Sequence, residues 1–370
     1  MNRPPANQKS WDALAVDGTF PNGNQGMDFN LLKRLCETAG APGHEDRVRE
    51  IVIEVLRPLC EEISIDSIGN VIAVKKGRGR GKLMISGHMD EISFMVTHVD
   101  DDGFIRFTPL GGFDAKTLTA QRVVVHGTRD LLGAMGSKPV HIMSAEERKV
   151  PPKLEDYFVD VGLPAEEVRT VVSVGDTITR QREMVEIGNT VNGKSFDNRM
   201  GVFVMLEAMR RMGPHSVDVY AVASAQEEIG IRGATVAARN IDPDIGIALD
   251  VTLANDVPDA KPHEHVTRLG AGAAIKVMDS SVISNPKMVQ FLRRIAQETS
   301  IPYQLEVLPR GGTDTSAIQR GGKGAAVGCI SIPTRYVHSV IEMCHKRDIE
   351  ACIQLLATAV GRAHEEDFSF

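Results

Sequence analysis

The chain lacks any CxxC pair, and its five cysteines, Cys36, Cys60, Cys329, Cys344 and Cys352, are scattered and odd in number. That spacing argues against a thiolate metal site and a disulfide framework, and it fits the reducing cytoplasm. No run approaches the roughly 18 apolar residues needed to cross a bilayer, so no membrane partner is expected. Excess positive charge is missing as well: the formal net charge is −7. The one basic cluster, KKGRGRGK from Lys75 to Lys82, mixes three glycines with five charges between two apolar runs and reads as a solvated turn. Nucleic acid is therefore not an expected partner. The opening stretch has no apolar signal core; it is polar and rich in Pro, Asn and Gly, which predicts a mobile tail over residues 1–27, with Met27 as an alternative start. Internal repeats and low-complexity blocks are absent.

What is present suits a large core. The 370 residues are 42% hydrophobic and 25% charged, enough for about two domains. Leu31, Leu32 and Leu35, then Val48, Ile51, Val52, Val55 and Leu56, recur at helical spacing on either side of GAPGHED and predict two opening helices. The runs Asn70–Val74 and Leu83–Ser86 flank the basic turn like a hairpin or two adjacent strands. From about Thr97 to Ile187 short β-branched runs alternate with Gly and Asp, the texture of an inserted β-rich domain over residues 98–186. Beyond it, FDNRMGVFVMLEAMRRM is apolar on nearly all sides, as a buried helix should be, and strand-like and helical stretches then alternate. The pattern predicts an α/β fold, a mostly parallel sheet sandwiched by helices, over residues 28–97 and 187–370.

Five imidazole or acidic residues fall where buried elements meet loops: His88, Asp197, Glu228, Asp250 and His338. In open α/β sheets, residues distant in sequence converge beyond the carboxyl ends of the strands. His88 and Asp90 stand two apart at a strand end, so a carboxylate can orient the imidazole, although an HxD alone is more often a turn. Asp197 opens the apolar helix, where N-capping alone would account for it; with two oxygens it could also hold two cations about 3.5–4 Å apart. Glu227 and Glu228 follow the buried strand VYAVASA directly, a place where adjacent carboxylates need positive charge nearby. One can bind metal while its neighbour takes a proton from water. Gly230 and Gly233 let the chain turn so that both acids face one cleft. Asp250 ends DIGIALD, and His338 follows GCISI after the loop PTRYV. Imidazoles with carboxylates and no thiolate suit Zn, Co or Mn, and two ions are implied.

The motifs APGHED, GHMDE, KSFDNRMG, QEEIGIRGA, ALDVT, GGTDT and RYVHS occur in the order found in the M42 metallo-aminopeptidases, and the chain resembles that family over about residues 28 to 365. The family includes glutamyl aminopeptidases and tetrahedral self-compartmentalising peptidases. The resemblance implies two divalent ions per subunit, one on His88, Asp197 and Asp250 and one on Asp197, Glu228 and His338. It implies Glu227 as general base and Asp90 as the partner of His88. It makes the insertion a dimerisation domain and the protein a homo-oligomer, up to a dodecamer built from dimers. Ser93, Asn198 and the stretch LGAGAA depart from the commonest family pattern, and none of them is an expected ligand.

The reaction this predicts is removal of N-terminal residues from short peptides, with metal-activated water attacking the first carbonyl and Glu227 passing its proton to the departing nitrogen. Competing readings are a metal-dependent deacylase of N-acyl amino acids or amino sugars, a metal-free glycoside hydrolase and a nonenzymatic binder. His263 and His265 read as a surface loop, Gly311–Asp314 as support for the site, and Cys344–His345 as helix surface and core.

Overall fold

The strand Lys82–His88 shows how the main sheet is made: Leu83 and Ile85 enter one core and Met84 another, and all three are buried. The two-residue side-chain period of a strand gives this pattern when both faces are covered. In the computed structural model, which describes residues 26–369, eleven strands form this sheet. At its centre Asp218–Ser224, Lys82–His88, Ile245–Leu253 and Ala326–Arg335 lie side by side and parallel. Antiparallel strands flank them, Val71–Lys75 and Glu62–Ile65 on one side and Glu342–His345, Thr190–Gly193 and Val185–Ile187 on the other. Ala273–Met278 joins Ala326–Arg335 antiparallel and carries Tyr303–Val307. The sheet is thus mixed around a parallel centre.

The runs beside the basic turn do not pair with each other. Asp218–Ser224 lies between them, antiparallel to Val71–Lys75 and parallel to Lys82–His88. The turn instead reaches across to the start of the intervening strand, where the Gly77 N–H donates to Asp218 at 2.8 Å and the Gly79 N–H to the Ser216 carbonyl at 2.7 Å. Sequence proximity suggested a hairpin or two adjacent strands, but the apolar strand between fills both ladders.

Helices Phe29–Glu37, Asp46–Leu56, Phe196–Arg211, Pro286–Glu298 and Lys346–Arg362 cover one side of the core, and Arg232–Ile241 and Thr315–Arg320 the other. Helix Phe196–Arg211 packs at once on the strands Lys82–His88 and Ile245–Leu253 and on the helices Phe29–Glu37 and Lys346–Arg362, which explains its all-round apolar sequence. No helix among the described residues is long and apolar enough to cross a membrane. The expected tail lies almost wholly outside the described residues, while Met27 packs against the main core.

A closed barrel of six strands, in the order Ser93–Val99, Ile105–Leu110, Tyr157–Asp160, Asp130–Ser137, Arg122–His126 and Thr177–Arg180, is inserted after Lys82–His88. Phe94, Val96, Ile105, Val123, Val125, Val159 and Ile178 fill it. Its limits differ from the expected 98–186. Phe94 and Val96 already point into the barrel, so it begins at Ser93, and Val185–Ile187 pairs with Thr190–Gly193 in the main sheet.

Candidate metal centre

Parallel register brings the motif residues to one edge. Ser224 pairs with His88 and Ala248 with Ser86, so two neighbouring strands finish level with Asp250 of the third, where open α/β sheets bind ligands. His88 closes its strand. Asp250 lies inside Ile245–Leu253 rather than at its end, because that strand continues beside Ser331–Thr334. Asp218–Ser224 is followed by Gln226, whose φ of 56° begins the turn that carries Glu227 and Glu228. Pro333–Arg335, expected as loop, extends Ala326–Arg335, and His338 follows it with φ 65°.

Asp197 does not behave as a helix cap. Asn198 instead accepts a first-turn N–H, from Gly201 at 3.0 Å, and the Asp197 carboxylate faces two imidazoles: Oδ1 lies 3.2 Å from His88 Nε2 and Oδ2 3.1 Å from His338 Nε2. The helix can press this close to the strand end because Gly87 faces Gly201; a Cβ on Gly87 would stand 3.2 Å from the Gly201 carbonyl carbon and the Val202 nitrogen. Two groups of three result, His88, Asp197 and Asp250, and Asp197, Glu228 and His338, and in each the ligand atoms lie within 4.8 Å of one another. Asp197 belongs to both.

Glu227 stands beside the cluster, with Oε2 3.7 Å from His88 Nε2. Asp90 does more than neighbour His88. Its oxygens accept the N–H groups of Glu227 at 2.9 Å and Glu228 at 3.0 Å, which sets the turn, while His88 Nδ1 lies 3.1 Å from its carbonyl and 3.4 Å from Oδ1.

Burial, then the surrounding carboxylates, holds Glu227, Glu228 and Asp250 well above the usual acid range, against the opposing pull of His88. Burial would raise Asp197 too, but His338 and His88 hold it far below its ordinary value. Burial would lower His88, yet Asp197 and Asp90 keep it well above the ordinary imidazole range. One Glu228 oxygen, Oε1, is buried with no hydrogen-bond partner. So many carboxylates with an orphaned oxygen are costly to bury unless cations neutralise them. Imidazole and carboxylate donors together fit a borderline transition metal better than an all-oxygen ion.

Several supporting residues escaped the sequence reading. Glu342 accepts the His338 N–H at 2.7 Å and the Asp197 N–H at 3.2 Å, and burial with the Asp197 charge pushes its carboxyl up to about 7. Asp314, in the GGTDT motif read as support, accepts the Ser86 and Ser224 hydroxyls, each at 2.6 Å. Glu91 pairs with Lys194 at 2.7 Å, both buried, and Glu45 accepts the Gln226 N–H at 3.0 Å. Glu45, Glu91 and Lys194 sat inside quoted motifs, and a charge among buried neighbours was the available signal. Glu342, in SVIEMCHK, offered none. His263 lies in an exposed 3-10 turn, Pro262–Glu264, where a loop was expected, Cys344 is buried, and His345 accepts the Arg347 N–H that opens the last long helix.

Residues 69–355 match the M42 glutamyl aminopeptidase family. The chain is 36% identical to a lysyl aminopeptidase of Pyrococcus furiosus, over 93% of this chain and 99% of that one. Among solved structures it resembles an aminopeptidase from the archaeon Desulfurococcus kamchatkensis (41% identity, TM-score 0.87, 90% of this chain and 94% of that one). It also resembles the Pyrococcus horikoshii TET1 peptidase, described as able to assemble into a tetrahedron or a large octahedral shell (28% identity, TM-score 0.80, 90% and 98%). The family match spans most of the chain and these likenesses nearly all of it, so the chain belongs to the M42 aminopeptidase family.

Proposed function

We propose that this chain is a dinuclear metallo-aminopeptidase that removes N-terminal residues from short peptides. One divalent ion, Zn or Co with Mn as a third candidate, would be held by His88, Asp197 and Asp250 and a second by Asp197, Glu228 and His338. The observation that carries this reading is the Asp197 carboxylate, with one oxygen toward each imidazole, shared by two ligand groups. When bound, such ions supply positive charge that makes water acidic near neutral pH and polarises a carbonyl.

Glu227 belongs to neither ligand group, and its burial favours the protonated form. A carboxylate with that bias accepts a proton from water and returns it to the departing amine. Asp90 holds the turn that aims it. For assembly the reading is a homo-oligomer, up to a dodecamer built from dimers joined through the barrel, supported by the P. horikoshii likeness and by exposed Val140, Ile142 and Val150 on that domain. The five free cysteines support the cytoplasm as its compartment.

The test is a panel of aminoacyl-nitroanilides, short peptides and N-acyl amino acids offered to metal-stripped protein, repeated with Zn, Co and Mn. The expected result is no activity without metal and restored cleavage of substrates with a free amine. Full activity after verified metal removal would overturn the reading, and preference for N-acylated substrates would replace it with a deacylase.

A further inference from the structure

The two ligand groups share Asp197 but differ in what holds the rest. His88 and Asp250 are fixed within the main domain, His88 by Asp90 and Asp197 and Asp250 by the Val251 N–H at 2.8 Å. His338 sits instead in a loop where both Tyr336 (φ 60°) and His338 (φ 65°) take the left-handed backbone. Non-glycine residues stay there only when their surroundings hold them.

Part of that hold comes from the inserted barrel. The Gly112 carbonyl lies 2.8 Å from His338 Nδ1; a proton donated along this contact leaves Nε2 free to face Asp197. Arg180, the last residue of the barrel strand Thr177–Arg180, donates from Nη1 to the His338 carbonyl at 3.0 Å. The barrel also passes over Glu228: a Cβ on Gly111 (φ 94°) would stand 3.3 Å from Glu228 Oε2 and 2.5 Å from Ile92 Cγ2, so only glycine fits this crossing.

Arg180 is an expensive way to fill space. Its side chain is 1% exposed, its guanidinium lies over the Phe113 ring at 5.3 Å, and its Nε has no partner. Burying a guanidinium is unfavourable unless charges and hydrogen bonds compensate, and an apolar side chain would pack there without that penalty. The compensating charges are Glu342, Glu91, Glu228 and Asp197, all at or beside the site.

We infer that the barrel is a built part of one metal position: Arg180 and the Gly112 carbonyl are positioning groups for His338, and they make the Asp197, Glu228 and His338 position depend on the insertion. The His88, Asp197 and Asp250 position does not depend on it. The inference rests on the dinuclear reading above.

Metal binding to the stripped full-length protein, measured as equivalents per chain and by competition with a chromophoric chelator, tests it with Zn as the probe. Wild type should take two equivalents. Arg180→Met should keep one tight equivalent and bind the other roughly 10–100-fold more weakly, the usual cost of losing a group that orients a ligand. Arg180→Lys, which keeps the charge but not the planar fork, should fall between. A folded Arg180→Met that binds both equivalents as wild type does, or weakens both equally, overturns the inference. If that variant does not fold, Arg180→Lys decides by the same criterion, a selective loss against none or an equal one. Wild type taking fewer than two equivalents would instead bring down the dinuclear reading underneath.

Discussion

Glu227 and Glu228 are chemically identical neighbours in different surroundings. Glu228 Oε2 lies 3.8 Å from His338 Nε2 and shares a ligand group with it, whereas Glu227 faces His88 from outside both groups. Glu227→Gln should therefore retain both metals while kcat falls by about 10²–10⁴, the usual loss for a general base. Glu228→Gln should lose metal and recover part of its activity when metal is added in excess. Asp197→Ala should strip both positions, and Asp250→Ala should weaken one. Metal analysis beside steady-state kinetics checks all four; the reverse pattern for the two glutamates would move the base to Glu228.

At the scale of elements, helix Asp46–Leu56 touches the barrel through Arg47, which donates to both oxygens of Asp130 at 2.7 and 3.0 Å. The Arg47 guanidinium, then His126, holds the Asp130 carboxyl at about 2, below its ordinary 3.8. Because the folded value is the lower one, this contribution is complete above about pH 4 and disappears as pH falls through about 2. Both side chains are largely exposed, so screening limits it to about 1 kcal/mol or less. Urea unfolding of Arg47→Ala beside wild type should show that small deficit at neutral pH and a shrinking one toward pH 2; a deficit that grows with acid would refute the assignment. Helix Phe196–Arg211 carries far more. Phe203 is completely buried in the main core, and Phe203→Ala should cost about 3–5 kcal/mol by the same measurement.

For the whole molecule, the barrel stands in two relations, inward to His338 and outward to solvent. Its outer face exposes Ile142 at 68% and Val150 at 58%, large apolar side chains that a partner would cover. If copies of the chain meet there, Ile142→Glu should reduce the assembly mass measured by light scattering while leaving the metal content per chain unchanged. An unchanged mass would remove this face from the contact.

Much of the site was legible in the order of residues, because each buried strand of the centre is an apolar run and a polar residue that ends or interrupts such a run stands out. His88, Asp90, Glu227, Glu228 and Asp250 were found in this way, and the all-round apolar stretch after Asp197 announced a buried helix. What one strand lies beside is not written in its own period. The strand between Val71–Lys75 and Lys82–His88 comes from more than a hundred residues downstream, and the barrel begins inside an apolar run that looks continuous with the sheet. Glu342, Arg180 and the Gly112 carbonyl acquire their roles only because tertiary packing carries them to His338. Side-chain chemistry and local periodicity are properties of neighbouring residues and can be read in line; register, burial and the partner of a buried charge depend on segments that meet only when the chain folds.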